Sequence, residues 1–324
     1  MDNLIQLDRG IAAKRRQAQE QAQEVARIGA EFVMAVRTEA IDCLKDLLLP
    51  GSPAAMQLEI FGANLFRIAL RLEDSSELGQ LAPVEFETQG NTGLLVLGVL
   101  EPLEQGEGHL KCLLGASLFL QQQSSGAWSI LEVLPGTPGA PLDPNVLVER
   151  TVLDYYQGYA SLPLQEGNLD PVERLFLKEM QGREGLFNLD ELLNAFRLWR
   201  DFLTKSGSVL KRSLTSYAAA VEYLISLFDR FQVEGATVAK RYSTTVSAVQ
   251  GRARLIAHAL NATQFDDRYS IHTDPIAHYR QVFEDISGRF NQHEMEKAAQ
   301  KYAGVFNTIE VSPNDTDFFG PTDR

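Results

Sequence analysis

The sequence predicts an α+β protein in which an N-terminal helix and an antiparallel sheet are followed by an all-α helical domain. Three observations predict it. Apolar side chains recur at Val25, Ile28, Phe32 and Val36, then at Ile41, Leu44 and Leu48, the spacing of one buried helix face. From Gln57 to Pro135 the apolar period shortens to two, with Gly, Ser, Asn and Asp between the runs. Beyond LPGTPGAPLDPN, Leu134 to Asn145, the pattern is helical almost to the end, which places an α+β domain at 1–140, an all-α domain at 146–310 and an acidic flexible tail at 311–324.

The first helical stretch, about Ile11 to Leu49, contains no proline, and Pro50-Gly51 ends it. It reads as one long helix or as two broken near Gly29. Its Gln-rich first half fits a solvated helix or frayed terminus, with a coiled-coil arm as the alternative, although the heptad register is poor. In NLFRIALRLED, Phe66, Ile68, Leu70 and Leu72 alternate with Arg67, Ala69, Arg71 and Glu73, the pattern of a half-buried strand. Further strands are expected at PVEFET, TGLLVLGVLEPL, HLKCLLGASLFLQQQ and AWSILEVL, forming a meander with the long helix on its apolar face. His109 fits an exposed loop, and Trp128 a strand-face packing residue.

In the second domain, NVLVERTVLDYYQGYAS reads as a helix, and DPVERLFLKEMQ as another with Asp170 at the cap and Pro171 in the first turn. NLDELLNAFRLWRDFLTKSG is a third, closed by Gly207. SVLKRSLTSYAAAVEYLISLFDRF is apolar on most sides and therefore central. DPIAHYRQVFEDISGRF and MEKAAQKYAGVF could add two more, and FDDRYS between them and the core reads as a packed turn held by Phe265 and Tyr269.

Composition limits function. The chain has 324 residues with 43 acidic against 30 basic side chains, a formal charge of -13, so only a local positive face could hold nucleic acid. Two cysteines, Cys43 and Cys112, make neither a disulfide framework nor a structural zinc site and suit a reducing, cytoplasmic setting. The N-terminal stretch lacks the apolar core of a signal peptide, and no run is long enough to cross a bilayer. Phosphate-loop, His-Glu-x-x-His, Gly-x-Ser-x-Gly and dinucleotide fingerprints are missing, so the expectation is a non-enzyme without cofactor. A metal cluster of His258, His272 and His278 with Asp266 and Asp267 has spacings of no familiar ligand set.

Against this acidic background, Gly235 to Phe265 contains no Asp or Glu but keeps Lys240, Arg241, Arg252 and Arg254. Within it, TVAKRYSTTVSAVQGRARLIAHAL has the ingredients of a helix-turn-helix at about 235–260. Ala239 supplies the small residue of the first helix, YSTT the turn, and Val249 the facing apolar residue, with Val238, Leu255 and Ile256 completing the core. Thr245 or Thr244 can cap the second helix. That helix would direct Ser247, Gln250 and Arg254 outward to read base edges, leaving Arg252 and Lys240 for phosphates.

VAKRYSTTVSAVQGRARLI resembles the common helix-turn-helix pattern in Ala239, Tyr242, Thr245, Ser247 and Val249, and departs from it at Ser243, where Gly is usual, and at Thr244, where Val or Ile is usual. The wider stretch, with the Ala-rich SYAAAVEYLISLF before it, is similar to the end of a cyclin-type repeat of transcription factor B. The resemblance covers about 45 residues and implies contact with double-stranded DNA, as in a transcriptional regulator. The DNA-binding residues expected are Lys240, Arg241, Thr245, Ser247, Gln250, Arg252 and Arg254. So few cations suggest a homodimer or a protein partner that supplies further contacts. Two alternatives stay open: a protein-interaction adaptor using the helical domain as scaffold, and a ligand-sensing regulator with its pocket in the α+β domain.

Overall fold

Helix α1 (Asp2–Arg37) is 36 residues long, about 54 Å at 1.5 Å per residue, in a computed structural model that describes residues 2–70, 81–102, 110–136, 158–182, 187–207, 214–229 and 233–272. It runs straight through Gly29. A Cβ at that position would lie 2.5 Å from Leu95 Cδ2 and 3.2 Å from Leu97 Cδ2, so the glycine lets the helix sit down on the sheet instead of breaking it. The break comes later, where Glu39 turns to φ 53 and the Ala40 amide donates to the Ala35 carbonyl at 2.9 Å. Helix α2 (Ile41–Leu47) follows.

The next two helices correct the sequence expectation. Helix α3 (Pro53–Phe61) starts at a Ser52 cap, whose hydroxyl accepts from the Ala55 amide at 3.1 Å, with Pro53 in the first turn. Helix α4 (Asn64–Ala69) occupies the segment expected to be a strand. Its buried residues are Leu65, Phe66 and Ala69, with Leu70 just beyond, a helical spacing. Phe66 meets Phe32 of α1 edge to face, with ring centres 5.3 Å apart, and this aromatic anchor outweighs the local period-two alternation of a short apolar run.

All four later strands form where the sequence places them: β1 (Ala82–Gln89), β2 (Thr92–Pro102), β3 (Leu110–Gln122) and β4 (Trp128–Pro135). They make one antiparallel sheet in the order β1-β2-β3-β4. Phe86, Leu95, Leu118 and Val133 lie opposite one another across neighbouring strands and so share a face. Helix α1 covers that face at β1 and β2, and α3 and α4 cover it at β4. Trp128 is buried and packs edge to face on Phe86, ring centres 5.9 Å apart. A parallel bridge joins Leu48 to Ile130 at the rim of β4, and the Leu49 amide donates to the Ile130 carbonyl at 2.8 Å. On β1, Glu85 and Glu87 are exposed.

The chain divides into two compact units, Met1–Leu169 and Asp170–Arg324. Residues 158–169 belong to the first: the Gln165 amide donates to the Ile60 carbonyl at 2.8 Å, and Tyr159 packs on Phe61. The first unit thus extends past residue 140, and Tyr159–Ser161 form a single 3₁₀ turn where the expected helix would end. The rest of that expected helix, with His109, the helices beyond residue 273 and the tail, lies outside the described residues.

The second unit is helical. Helix α5 (Pro171–Gln181) and helix α6 (Leu189–Ser206) each begin at a capping box, Asp170 with Glu173 and Asn188 with Glu191. Glu173 is wholly buried and ion-paired with Arg200; burial raises its pKa, against the pull of that guanidinium. Trp199 Nε1 donates to Asp170 Oδ2 at 2.6 Å, tying the two helices together. Helix α7 (Leu214–Asp229) is buried along its whole length from Ser216 and packs on α5 and α6. Tyr269 stacks on Phe228, ring centres 6.1 Å apart, and its hydroxyl donates to Asp201 Oδ2 at 2.8 Å. Phe265 is half-buried.

Candidate nucleic-acid interface

Helix α8 (Gly235–Arg241) and helix α9 (Val246–Leu260) form a helix-turn-helix unit docked on α7. Val238 and Ala239 of α8 and Val249, Ala253 and Ile256 of α9 are all buried, so the expected inner contact is made. Leu255 is the exception: it is 45% exposed, because it falls on the opposite side of α9 from Val249 and Ala253. The turn closes although it lacks glycine. Ser243 takes up the left-handed conformation at φ 51, the Thr244 amide donates to the Ala239 carbonyl at 2.9 Å, and the Thr245 hydroxyl caps α9 by accepting from the Ala248 amide at 3.2 Å.

The anchor of this unit went unforeseen. Glu222 of α7 is 1% exposed. Its Oε2 accepts from the Tyr242 hydroxyl at 2.7 Å, and its Oε1 is ion-paired with Arg241 Nη1. Arg241, expected to reach DNA, is therefore turned inward, its side chain only 15% exposed. Glu222 is the single charge in SYAAAVEYLISLF. A lone acid in a buried helix needs a cationic or hydroxyl partner, and that was the available signal.

The remaining expected contacts separate into four positions. Ser247 and Arg254 are exposed and lie on one face of α9, together with Gly251 and His258 at the same helical spacing. Lys240 is exposed near the end of α8. Gln250 is half-buried at the α8 margin, its Nε2 3.8 Å from where a Cβ on Gly235 would stand. Arg252 lies about 160° around α9 from Gln250 at 3.6 residues per turn, half-buried against α7. Its guanidinium sits 4.8 Å from the centre of the Tyr217 ring and donates to the Tyr217 hydroxyl at 3.3 Å.

Chemically, the surface offers a hydroxyl, bare backbone and cations on a helix from which carboxylates are missing. Of the alternative metal set, Asp266 is taken by Arg268 through Nη2 at 2.6 Å and Nε at 2.9 Å. Burial would raise the Asp266 pKa, but the Arg268 hydrogen bonds and charge hold it below the usual value. His278 lies outside the described residues, among which no three His, Cys, Asp or Glu side chains are grouped to hold a metal ion. Nor is any helix among them long and apolar enough to cross a membrane.

No protein-family model, curated protein sequence or solved structure matches the chain.

Proposed function

We propose that this chain binds double-stranded DNA through α8 and α9, as a transcriptional regulator would. One observation carries the reading. The solvent-facing surface of α9, held in place by the buried Glu222 anchor, presents Ser247, Arg254 and His258 without a single carboxylate in a chain of charge -13. A carboxylate within a few ångströms of phosphate is repelled, whereas a solvated helix with no ligand has no reason to exclude Asp and Glu. In this reading Ser247 and Gln250 meet base edges near the start of α9, while Arg254 and Lys240 meet phosphates. The inward turn of Arg241 leaves few outward cations on one copy, which favours a homodimer or a protein partner supplying a second contact.

Arg254 is the better probe than Arg252, whose guanidinium is part of the packing on Tyr217. Replacing Arg254 with Glu is expected to weaken binding to a pool of random duplexes about ten-fold or more in a mobility-shift assay at low salt, with the melting temperature unchanged. Undiminished duplex binding by a folded Arg254→Glu protein would remove α9 from consideration as the DNA-reading element. A second reading, docking of α9 on another protein, rests on Leu255, 45% exposed on that helix. It predicts no saturable binding of duplex by the parent protein.

A further inference from the structure

Gly251 stands in the interior of α9, and no feature of the described residues accounts for it. A glycine inside a helix is unfavourable relative to alanine. Gly29, in the interior of α1, has a local reason. A Cβ at Gly29 would lie 2.5 Å from Leu95 Cδ2, closer than packed atoms allow. At Gly251 a Cβ would meet nothing within 4 Å, and the backbone angle is ordinary. The residue is exposed in the middle of the outward face, one turn after Ser247 and one turn before Arg254.

We infer that Gly251 is the point of closest approach between α9 and duplex DNA. The inference rests on the DNA-binding reading above and adds to it a seating residue that carries no hydrogen-bonding group. With Ser247 before it and Arg254 after it, the bare backbone allows α9 to settle against the groove until both side chains reach their targets. A side chain at 251 would hold the helix off. A methyl group there is harmless to the free protein, because the space is open, and harmful only in the complex, where packing is as tight as in a protein core.

The full chain is tested as the parent, Gly251→Ala and Gly251→Leu, by fluorescence anisotropy on a labelled random-sequence duplex pool, alongside thermal unfolding. The expected result is that Gly251→Ala melts higher than the parent yet binds about ten-fold more weakly, the factor that corresponds to ~1.4 kcal/mol, and that Gly251→Leu, also folded, binds more weakly still. If both variants bind within two-fold of a parent that itself binds saturably, the closest-approach inference is overturned while the DNA-binding reading stands. If the parent shows no saturable duplex binding, the reading itself fails and takes the inference with it.

Discussion

Gly29 of helix α1 and Gly251 of helix α9 are both interior glycines, and their surroundings differ completely. Gly29 lies against the sheet, its would-be Cβ 2.5 Å from Leu95 Cδ2; Gly251 faces open space. In α1 the chain itself supplies the close neighbour, so the weak helix former is repaid by the approach of helix to sheet. In α9 no described residue supplies such a neighbour, and the one proposed is duplex DNA. A residue that costs local stability is informative about binding only after packing has been excluded as its cause, and here one helix serves as the control for the other.

The contrast can be broken or sharpened by experiment, and the largest effect is expected at the anchor that holds α9 in place. Glu222→Ala leaves Arg241 buried without its carboxylate and should cost the second unit about 3–5 kcal/mol. Urea unfolding followed by Trp199 emission in a Trp128→Phe background reads that unit alone, since the chain has two tryptophans, one in each unit. A loss under about 1 kcal/mol would mean that Glu222 does not hold the helix-turn-helix down. At Gly29, a valine should overpack the helix–sheet contact and cost the first unit about 1–3 kcal/mol. Adding Leu95→Ala should then cost less than it does in the parent, because the new side chain fills the space vacated. Simple additivity of the two changes would show that the Leu95 contact is not what demands a glycine.

A smaller gain is expected at Ser243, which holds a left-handed conformation without the freedom of glycine. Ser243→Gly should stabilise the second unit by about 1 kcal/mol, or roughly 2–4 °C in melting temperature. An unchanged melting temperature would show that the turn is unstrained. The stability half of the Gly251→Ala experiment is the smallest effect, a gain of about 0.5–1 kcal/mol, opposite in sign to the change at Gly29.

Much of this architecture is written in short-range patterns. The four strands follow from period-two runs bounded by turn residues, and α5 and α6 from Asp170-Pro171 and from Asn188 with their glutamates three residues on. The helix-turn-helix was legible because its defining contacts, Ala239, Thr245 and Val249, all lie within eleven residues of chain. Part of the rest depends on contacts distant in sequence, and part on local period. The alternation around Phe66 resembles a strand until Phe32, 34 positions earlier, provides a helix-packing partner. Ser52-Pro53 is an N-terminal signal for α3, but the apolar run behind it merges in pattern with the strands that follow. Gly29 looks like a break in the sequence because its reason lies on β2. The charge of Arg241 points to DNA, and only the position of Glu222 on the preceding helix shows that this charge is already neutralised. Leu255 was placed in the core by its apolar character, yet the 3.6-residue period carries it to the solvent side.

The two rims of the sheet also bear on how the protein avoids joining copies of itself into fibres. An open sheet in the order β1-β2-β3-β4 exposes two rows of backbone groups on which foreign strands can grow, and the apolar run LGASLFL would be a strong template if it lay at either edge. It lies inside, on β3. At the β4 rim, Leu48 and Leu49 already occupy the hydrogen-bonding position at Ile130. On β1, Glu85 and Glu87 set like charges against any second copy laid alongside it. A strand arriving from solution must displace a piece of native chain at one edge or bring carboxylates together at the other, so the sheet carries its own protection against edge-to-edge aggregation.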